Sequence, residues 1–321
     1  MNFIFNTEVL TVIRVAKRCY FCIFVAKNLD TMAKFSDYLR LVKFSHTIFA
    51  MPFAMIGFTY AVKCGDHSFS EPWHWAVLLV QVVLCMVFAR NTAMGFNRWA
   101  DWRIDAENPR TAEREIPAGV ISPKKALAFV VVNAILFVVT ASTINLLTAA
   151  LSPVALAVVM FYSYCKRFTS LAHMVLGLSL GIAPVGAYIA VTGEFAVEPC
   201  ILAVLVMTWC GGFDIIYALQ DAAFDRERGL HSIPSRFSAR TSLMISVLLH
   251  VVSAAMLVWF ASFLPGRWYL WIGVVIFIAL LALQHVLVTP TRQRNIGIAF
   301  GTLNGLASVT LAIFVILDLL L

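Results

Sequence analysis

Asp101 and Asp105 stand four residues apart, and so do Asp221 and Asp225, in a chain that is otherwise mostly apolar. Carboxylates are costly beside lipid, so their presence there points to function by default. At a spacing of four, both members of a pair share one helix face. Such pairs suit Mg²⁺, which takes few carboxylates and fills its shell with phosphate oxygens and water. Basic residues crowd around them: Arg98, Arg103, Arg110, Arg114, Lys166 and Arg167. Guanidinium groups bind phosphate bidentately, and an ammonium acts as a point charge. Carboxylates for a metal and cations for phosphate, at the edge of lipid, suggest an enzyme that joins a lipid pyrophosphate to a second substrate.

The two segments resemble each other. Arg90, Asn97, Asp101 and Asp105 are separated by 7, 4 and 4 residues, and Asp214, Asp221 and Asp225 by 7 and 4. Each has a polar residue seven positions ahead of its run, Arg90 in one and Asp214 in the other. This spacing predicts an internal pseudo-repeat whose halves face each other across a central cavity. A single Asp-x-x-x-Asp at a helix end is ordinarily a solvated face or a cap, and basic residues near apolar runs are ordinary membrane flanks. The functional reading rests on two matched clusters on one side of a membrane. His46, His74, His173, His250 and His285 show no ligand spacing and read as interfacial or core residues. Trp99 and Trp102 read equally well as interface anchors or site residues.

The elements that must position these groups are membrane helices. Charged residues make up 13% of the chain, about half the usual share of a soluble domain. Apolar runs of roughly 20 residues recur between polar loops, which predicts an all-α, polytopic membrane protein. About nine spans are expected, near 46–63, 74–96, 125–143, 145–163, 171–191, 199–219, 241–262, 268–288 and 297–317. Of the 24 Lys and Arg residues, all but Lys63 and Arg267 fall on one side of this topology. The positive-inside rule puts that side, with the N-terminus and both acidic clusters, in the cytoplasm. The basic balance therefore reflects topology and a phosphate site, not nucleic-acid binding. No obligate protein partner is evident.

Residues 1–37 read as an N-terminal extension or amphipathic lead-in, with Met32 a candidate true start, and residues 38–321 as the transmembrane domain. The lone Cys19-x-x-Cys22 has no partner pair to make a metal site.

The motifs together resemble the UbiA superfamily of intramembrane prenyltransferases over most of residues 38–320. The resemblance lies in Asn97-x-x-x-Asp101-x-x-x-Asp105, in Arg110-Thr-Ala-Glu-Arg114-Glu-Ile-Pro117-Ala-Gly119, in Tyr164-Cys-Lys166-Arg167-Phe-Thr169 and in Asp214-Ile-Ile-Tyr217-Ala-Leu-Gln-Asp221-Ala-Ala-Phe-Asp225. It implies nine helices around a central cavity in a bacterial inner membrane. It also implies Mg²⁺-dependent transfer of a polyprenyl group from its diphosphate to an aromatic acid in respiratory quinone synthesis. By family position, Asn97, Asp101, Asp105, Asp221 and Asp225 would hold Mg²⁺–pyrophosphate. Arg110, Arg114, Lys166 and Arg167 would bind substrate phosphate, with Tyr217 beside them, and Arg90 and Asp214 would face the acceptor. The chain looks most like the group acting on 4-hydroxybenzoate. Typical members of that group carry Asp after the first Asn. Arg98 there looks like the branch of futalosine-pathway menaquinone synthesis, whose acceptor would be 1,4-dihydroxy-6-naphthoate.

Two other classes compete. A transporter for an anion or lipid would also have an internal repeat, but its charges should sit near mid-membrane. A CDP-alcohol phosphotransferase, another membrane enzyme acting on lipid phosphates, needs an Asp-Gly opening and a Gly between its clusters, and this chain has neither.

Overall fold

The computed structural model describes residues 35–42, 49–65 and 72–321. Met32, Cys19, Cys22 and His46 lie outside them, as does nearly all of the expected N-terminal segment. The regular elements among the described residues are helices. They run α1 (Phe35–Leu41), α2 (Met51–Cys64), α3 (Pro72–Ala100), α4 (Trp102–Glu107), α5 (Pro123–Ser142), α6 (Leu146–Cys165), α7 (Ala172–Thr192), α8 (Val197–Ala218), α9 (Ala222–Glu227), α10 (Ile233–Arg236), α11 (Ala239–Ala261), α12 (Trp268–Leu287) and α13 (Asn304–Leu320). A 3₁₀ turn, Leu219–Asp221, links α8 to α9, and a π-helical stretch, Ile298–Leu303, leads into α13.

Eight helical segments among the described residues are long and apolar enough to cross a membrane. The remaining expected span, 46–63, corresponds to α2, which has 14 residues in the described part. Helix ends fall at capping and chain-breaking residues. Pro123 opens α5 behind Ser122, whose hydroxyl accepts the Lys125 amide. The near-continuous run around Ser142 breaks because the Asn145 side chain caps α6 by accepting the Thr148 amide at 2.8 Å.

The bundle closes on itself. α2 packs on α7, α7 on α8, α8 on α11, α12 on α13 and α13 back on α2, while α3, α5 and α6 form a flanking group against α7. Two glycines permit close backbone approach. A Cβ at Gly57 would lie 2.3 Å from the Pro184 carbonyl oxygen, and one at Gly177 would lie 2.2 Å from that of Met207. Trp209, Phe53 and Phe277 fill the centre. Val132, Ile135 and Val139 of α5 point outward, as does Val251 of α11. That is the arrangement for a bundle solvated by lipid.

One buried polar hub shapes the wall of the site. Asn304 Oδ1 accepts from Trp209 Nε1 at 3.0 Å and from Gln284 Nε2 at 2.8 Å. Its Nδ2 donates to the carbonyls of Ala299 and Phe300 inside the π-helical stretch. A π turn widens the helix and disturbs its regular ladder. Here it delivers Phe300 to within 4.2 Å of the Tyr217 ring.

Candidate active site

Both acidic segments are built alike. α3 ends at Ala100, the chain bends at Asp101 (φ −101°, ψ 4°), and the six-residue α4 follows. α8 ends at Ala218, the chain bends at Asp221 (φ −102°, ψ 0°), and the six-residue α9 follows. Neither Asp spends its carboxylate on capping the helix it precedes, so both carboxylates turn into a cavity between the segments. The pseudo-repeat is therefore real in backbone shape, but its register differs from the sequence expectation. Asp101 corresponds to Asp221 and Asp105 to Asp225, so Arg90 and Asp214 are not equivalent positions.

The cavity has a volume of about 260 Å³. All twelve expected site residues line it: Arg90, Asn97, Asp101, Asp105, Arg110, Arg114, Lys166, Arg167, Asp214, Tyr217, Asp221 and Asp225. Each of the four paired aspartates meets a different cation. Arg167 Nη2 donates to Asp101 Oδ1 at 3.0 Å, and Asn97 Nδ2 donates to its other oxygen at 3.2 Å. Arg114 Nη1 reaches both oxygens of Asp105 at 2.7 Å. Arg110 Nε donates to Asp221 Oδ1 at 2.8 Å while its Nη2 takes Oδ2, and its Nη1 donates to the Tyr217 hydroxyl at 2.9 Å. Lys166 Nζ stands 3.4 Å from Asp225 Oδ2. The wiring crosses the cavity: Arg110 follows the first acidic segment yet holds the second.

Burial and charge act in opposite directions on these groups. Burial raises the Asp101 carboxyl above the usual carboxylate range, and the hydrogen bond from Arg167 offsets only part of that. Burial alone would lower Lys166, but Asp225, Asp214 and Asp221 around it hold its pKa above the ordinary lysine value. Arg110 behaves alike, with Asp221 outweighing the cost of burial.

The deeper wall is more apolar. Arg90, eleven residues before Asp101, sits about 16 Å further along the helix axis at 1.5 Å per residue. Phe49, Phe213, Leu176 and Leu180 line the same cavity. Arg98 is buried and lines it too, with no hydrogen-bond partner for Nε or Nη1 among the described residues.

Sequence reasoning missed three contributors. Asn108 donates to Asp221 Oδ1 at 3.2 Å, and only its place before Pro109, where a helix must end, hinted at it. Tyr162 lines the cavity from α6 with no sequence signal. His173, read as a core residue, is indeed fully buried, but it also bonds Asp214 at 2.7 Å. Trp99 and Trp102 pack around Leu41, Ile116 and Ile121, bracing the loop after α4.

Among the described residues no three Asp, Glu, His or Cys side chains converge as a ready-made metal cage. A divalent ion that is held by one or two carboxylates and completed by substrate phosphates needs no such cage. Two carboxylate pairs of hard oxygen donors, each carboxylate turned to an Arg or Lys side chain, fit that kind of ion.

The sequence matches the UbiA prenyltransferase family over residues 50–312. It is 32% identical over 197 residues to a 4-hydroxybenzoate octaprenyltransferase of Aliivibrio fischeri, covering 61% of this chain and 68% of the relative. A 4-hydroxybenzoate octaprenyltransferase of Vibrio parahaemolyticus is 32% identical over 223 residues, or 69% of this chain and 77% of that one. In structure, the chain is similar to an apo UbiA homolog from Aeropyrum pernix, with a TM-score of 0.73, 26% identity and coverage of 86% and 98% of the two chains. A UbiA homolog from Archaeoglobus fulgidus bound to GPP and Mg²⁺ shares the fold, with a TM-score of 0.66, 18% identity and coverage of 87% and 99%.

Proposed function

The chain belongs to the UbiA prenyltransferase family, and from that premise we propose that it transfers a polyprenyl group from polyprenyl diphosphate to a phenolic aromatic acid in respiratory quinone synthesis, with Mg²⁺ as the metal. The observation that carries this reading is the one-to-one matching of four carboxylates with four cations around one cavity. Asn97, Asp101, Asp105, Asp221 and Asp225 are the residues to hold Mg²⁺. When bound, the metal neutralises charge on the diphosphate leaving group. Arg110, Arg114, Lys166 and Arg167, released from their carboxylates, turn to the phosphate oxygens.

The reaction breaks the allylic C–O bond, and the diphosphate leaves with the electron pair. The ring carbon ortho to a phenolic hydroxyl attacks the allylic carbon, and the ring then loses a proton. Catalysis is chiefly electrostatic stabilisation of the departing charge. Phe49, Phe213, Leu176 and Leu180 keep water from the cation-like centre. Arg90 pairs with the acceptor carboxylate, and Asp214 orients its hydroxyl or takes the proton. An apolar groove between α2 and α13 is lined by Met51, Met55, Val309 and Ile313. It suits the long isoprenoid tail.

A transporter is disfavoured because the four paired carboxylates sit at helix ends, at Asp101 just past α3 and Asp221 just past α8, and not at mid-membrane. The basic flanks support a reading in which this end of the bundle lies at the cytoplasmic face of a bacterial inner membrane. The test is a membrane assay with Mg²⁺ and a long-chain polyprenyl diphosphate, offering 4-hydroxybenzoate and 1,4-dihydroxy-6-naphthoate in parallel. A prenylated product with either establishes the reaction and identifies the acceptor. No product from either, with folded protein, defeats the proposal.

A further inference from the structure

His173 has a place in the site that its sequence context does not suggest. It lies in the first turn of α7, fully buried, while the Asp214 side chain on α8 is one-fifth exposed to the cavity. His173 Nδ1 stands 2.7 Å from Asp214 Oδ2. On its other side, Nε2 accepts the backbone N–H of Ile233 at 3.3 Å. A backbone N–H can only donate, so Nε2 must present its lone pair and the ring proton sits on Nδ1. His173 is therefore a donor to Asp214, and its tautomer is set by the chain itself.

The same contact closes a route. A proton added at Nε2 would face the Ile233 N–H, itself a donor, in place of an acceptor. Asp214 thus cannot hand a proton inward through His173, and whatever it accepts must go back to the cavity. The Ile233 segment is also tied to the diphosphate end. Two residues earlier, His231 N–H donates to the Lys166 carbonyl at 2.6 Å, and Leu230 N–H donates to the Asp225 carbonyl at 2.7 Å. The turn that leads into α10 and Ile233 is thereby anchored beside the Lys166–Asp225 pair.

We propose that His173 is a positioning residue, which aims the Asp214 carboxylate at the acceptor and keeps it the terminal proton acceptor of the reaction. This rests on the reading of Asp214 given above. In the balanced step, the new carbon–carbon bond forms as the allylic C–O bond breaks, diphosphate carries off the electron pair, and the ring proton passes to the Asp214 carboxylate. His173 makes and breaks no bond.

The experiment compares His173→Leu, His173→Gln, Asp214→Asn and the double variant His173→Leu/Asp214→Asn, measuring kcat and KM for each substrate. A misplaced reacting group costs on the order of 100-fold, so His173→Leu should lose about that factor in kcat. KM for polyprenyl diphosphate should stay unchanged. Gln keeps an amide N–H that can turn to Asp214, in place of the imidazole donor, and should restore part of kcat. Residues acting as one unit are non-additive, so His173→Leu should cost little more in the Asp214→Asn background. Wild-type kcat in His173→Leu with an impaired Asp214→Asn would overturn the positioning role alone. Additive losses would do the same, as would a rise only in KM for polyprenyl diphosphate. Full turnover in Asp214→Asn would overturn the Asp214 reading and this proposal together. If the Leu variant does not fold, ¹⁵N-histidine spectra of the unaltered protein and His173→Gln decide. A signal from an Nδ1–H imidazole, lost in His173→Gln, is expected, and its absence from the unaltered protein overturns the proposal.

Discussion

Arg110 and Asp221 lie 111 residues apart in sequence, yet the Arg110 guanidinium holds both carboxylate oxygens of Asp221, with Nε to Oδ1 at 2.8 Å. The same guanidinium bonds the Tyr217 hydroxyl and stands 5.3 Å from the Tyr217 ring centre. Arg110 and a metal would therefore compete for Asp221, and the substrate diphosphate would compete with Asp221 for Arg110. On the proposed function, binding would be an exchange of partners.

Removing one side of that exchange should have opposite effects on its two ligands. In Arg110→Gln, Asp221 is freed and Mg²⁺ affinity without prenyl diphosphate should rise. KM for polyprenyl diphosphate should rise too, because a charge-assisted hydrogen bond worth about 1.5–3 kcal/mol is lost, roughly ten- to a hundredfold. Metal titration and steady-state kinetics read the two separately. A fall in metal affinity would defeat the exchange.

Asp101→Ala and Asp221→Ala should each lose turnover by a factor of about 10³ or more, the scale of losing a central electrostatic stabiliser. Both should still insert and run as monodisperse protein in detergent. Retained activity in either variant would mean that the two-cluster site is wrong.

Chelation should abolish turnover of the purified protein, and added Mg²⁺ should restore it. Chelator-resistant product formation would exclude the metal role assigned to the aspartates.

The raised pKa of Asp101 predicts a displaced acid limb. A raised carboxyl pKa means that the ionised form, which the metal needs, is lost as pH falls while still above the ordinary carboxylate range. Arg167 lowers that pKa, so Arg167→Gln should move the acid limb of kcat/KM to higher pH. An unchanged or lowered limb in a pH–rate profile would contradict the assignment.

The hub at Asn304 makes a prediction about stability. Asn304→Leu would strand the Trp209 and Gln284 donors and the carbonyls of Ala299 and Phe300. Unsatisfied buried groups cost about 1–3 kcal/mol each. A clear drop in Tm in detergent is expected, with the Phe300–Tyr217 contact loosened. Unaltered thermal unfolding would show that the hub contributes nothing.

The sequence by itself determined the membrane helices, the end of the bundle that carries the charge, and the two acidic segments. These features are local. An apolar run of twenty residues must satisfy its backbone internally, so it is helical wherever it packs. Asp101 and Asp105, or Asp221 and Asp225, share a helix face through a spacing of four alone. Tertiary structure decided the rest. Nothing near Arg110 indicates that it serves Asp221 and not Asp105, because that choice depends on how α3 and α8 are set around the cavity. The register of the repeat was likewise hidden: spacing aligned Arg90 with Asp214, but the backbone bends that turn the carboxylates inward fall at Asp101 and Asp221. His173 carried no signal at all, since its meaning comes from Asp214 on the next helix and Ile233 sixty residues on. Pairing across distant segments is set by packing, and packing is not written in any short stretch of chain.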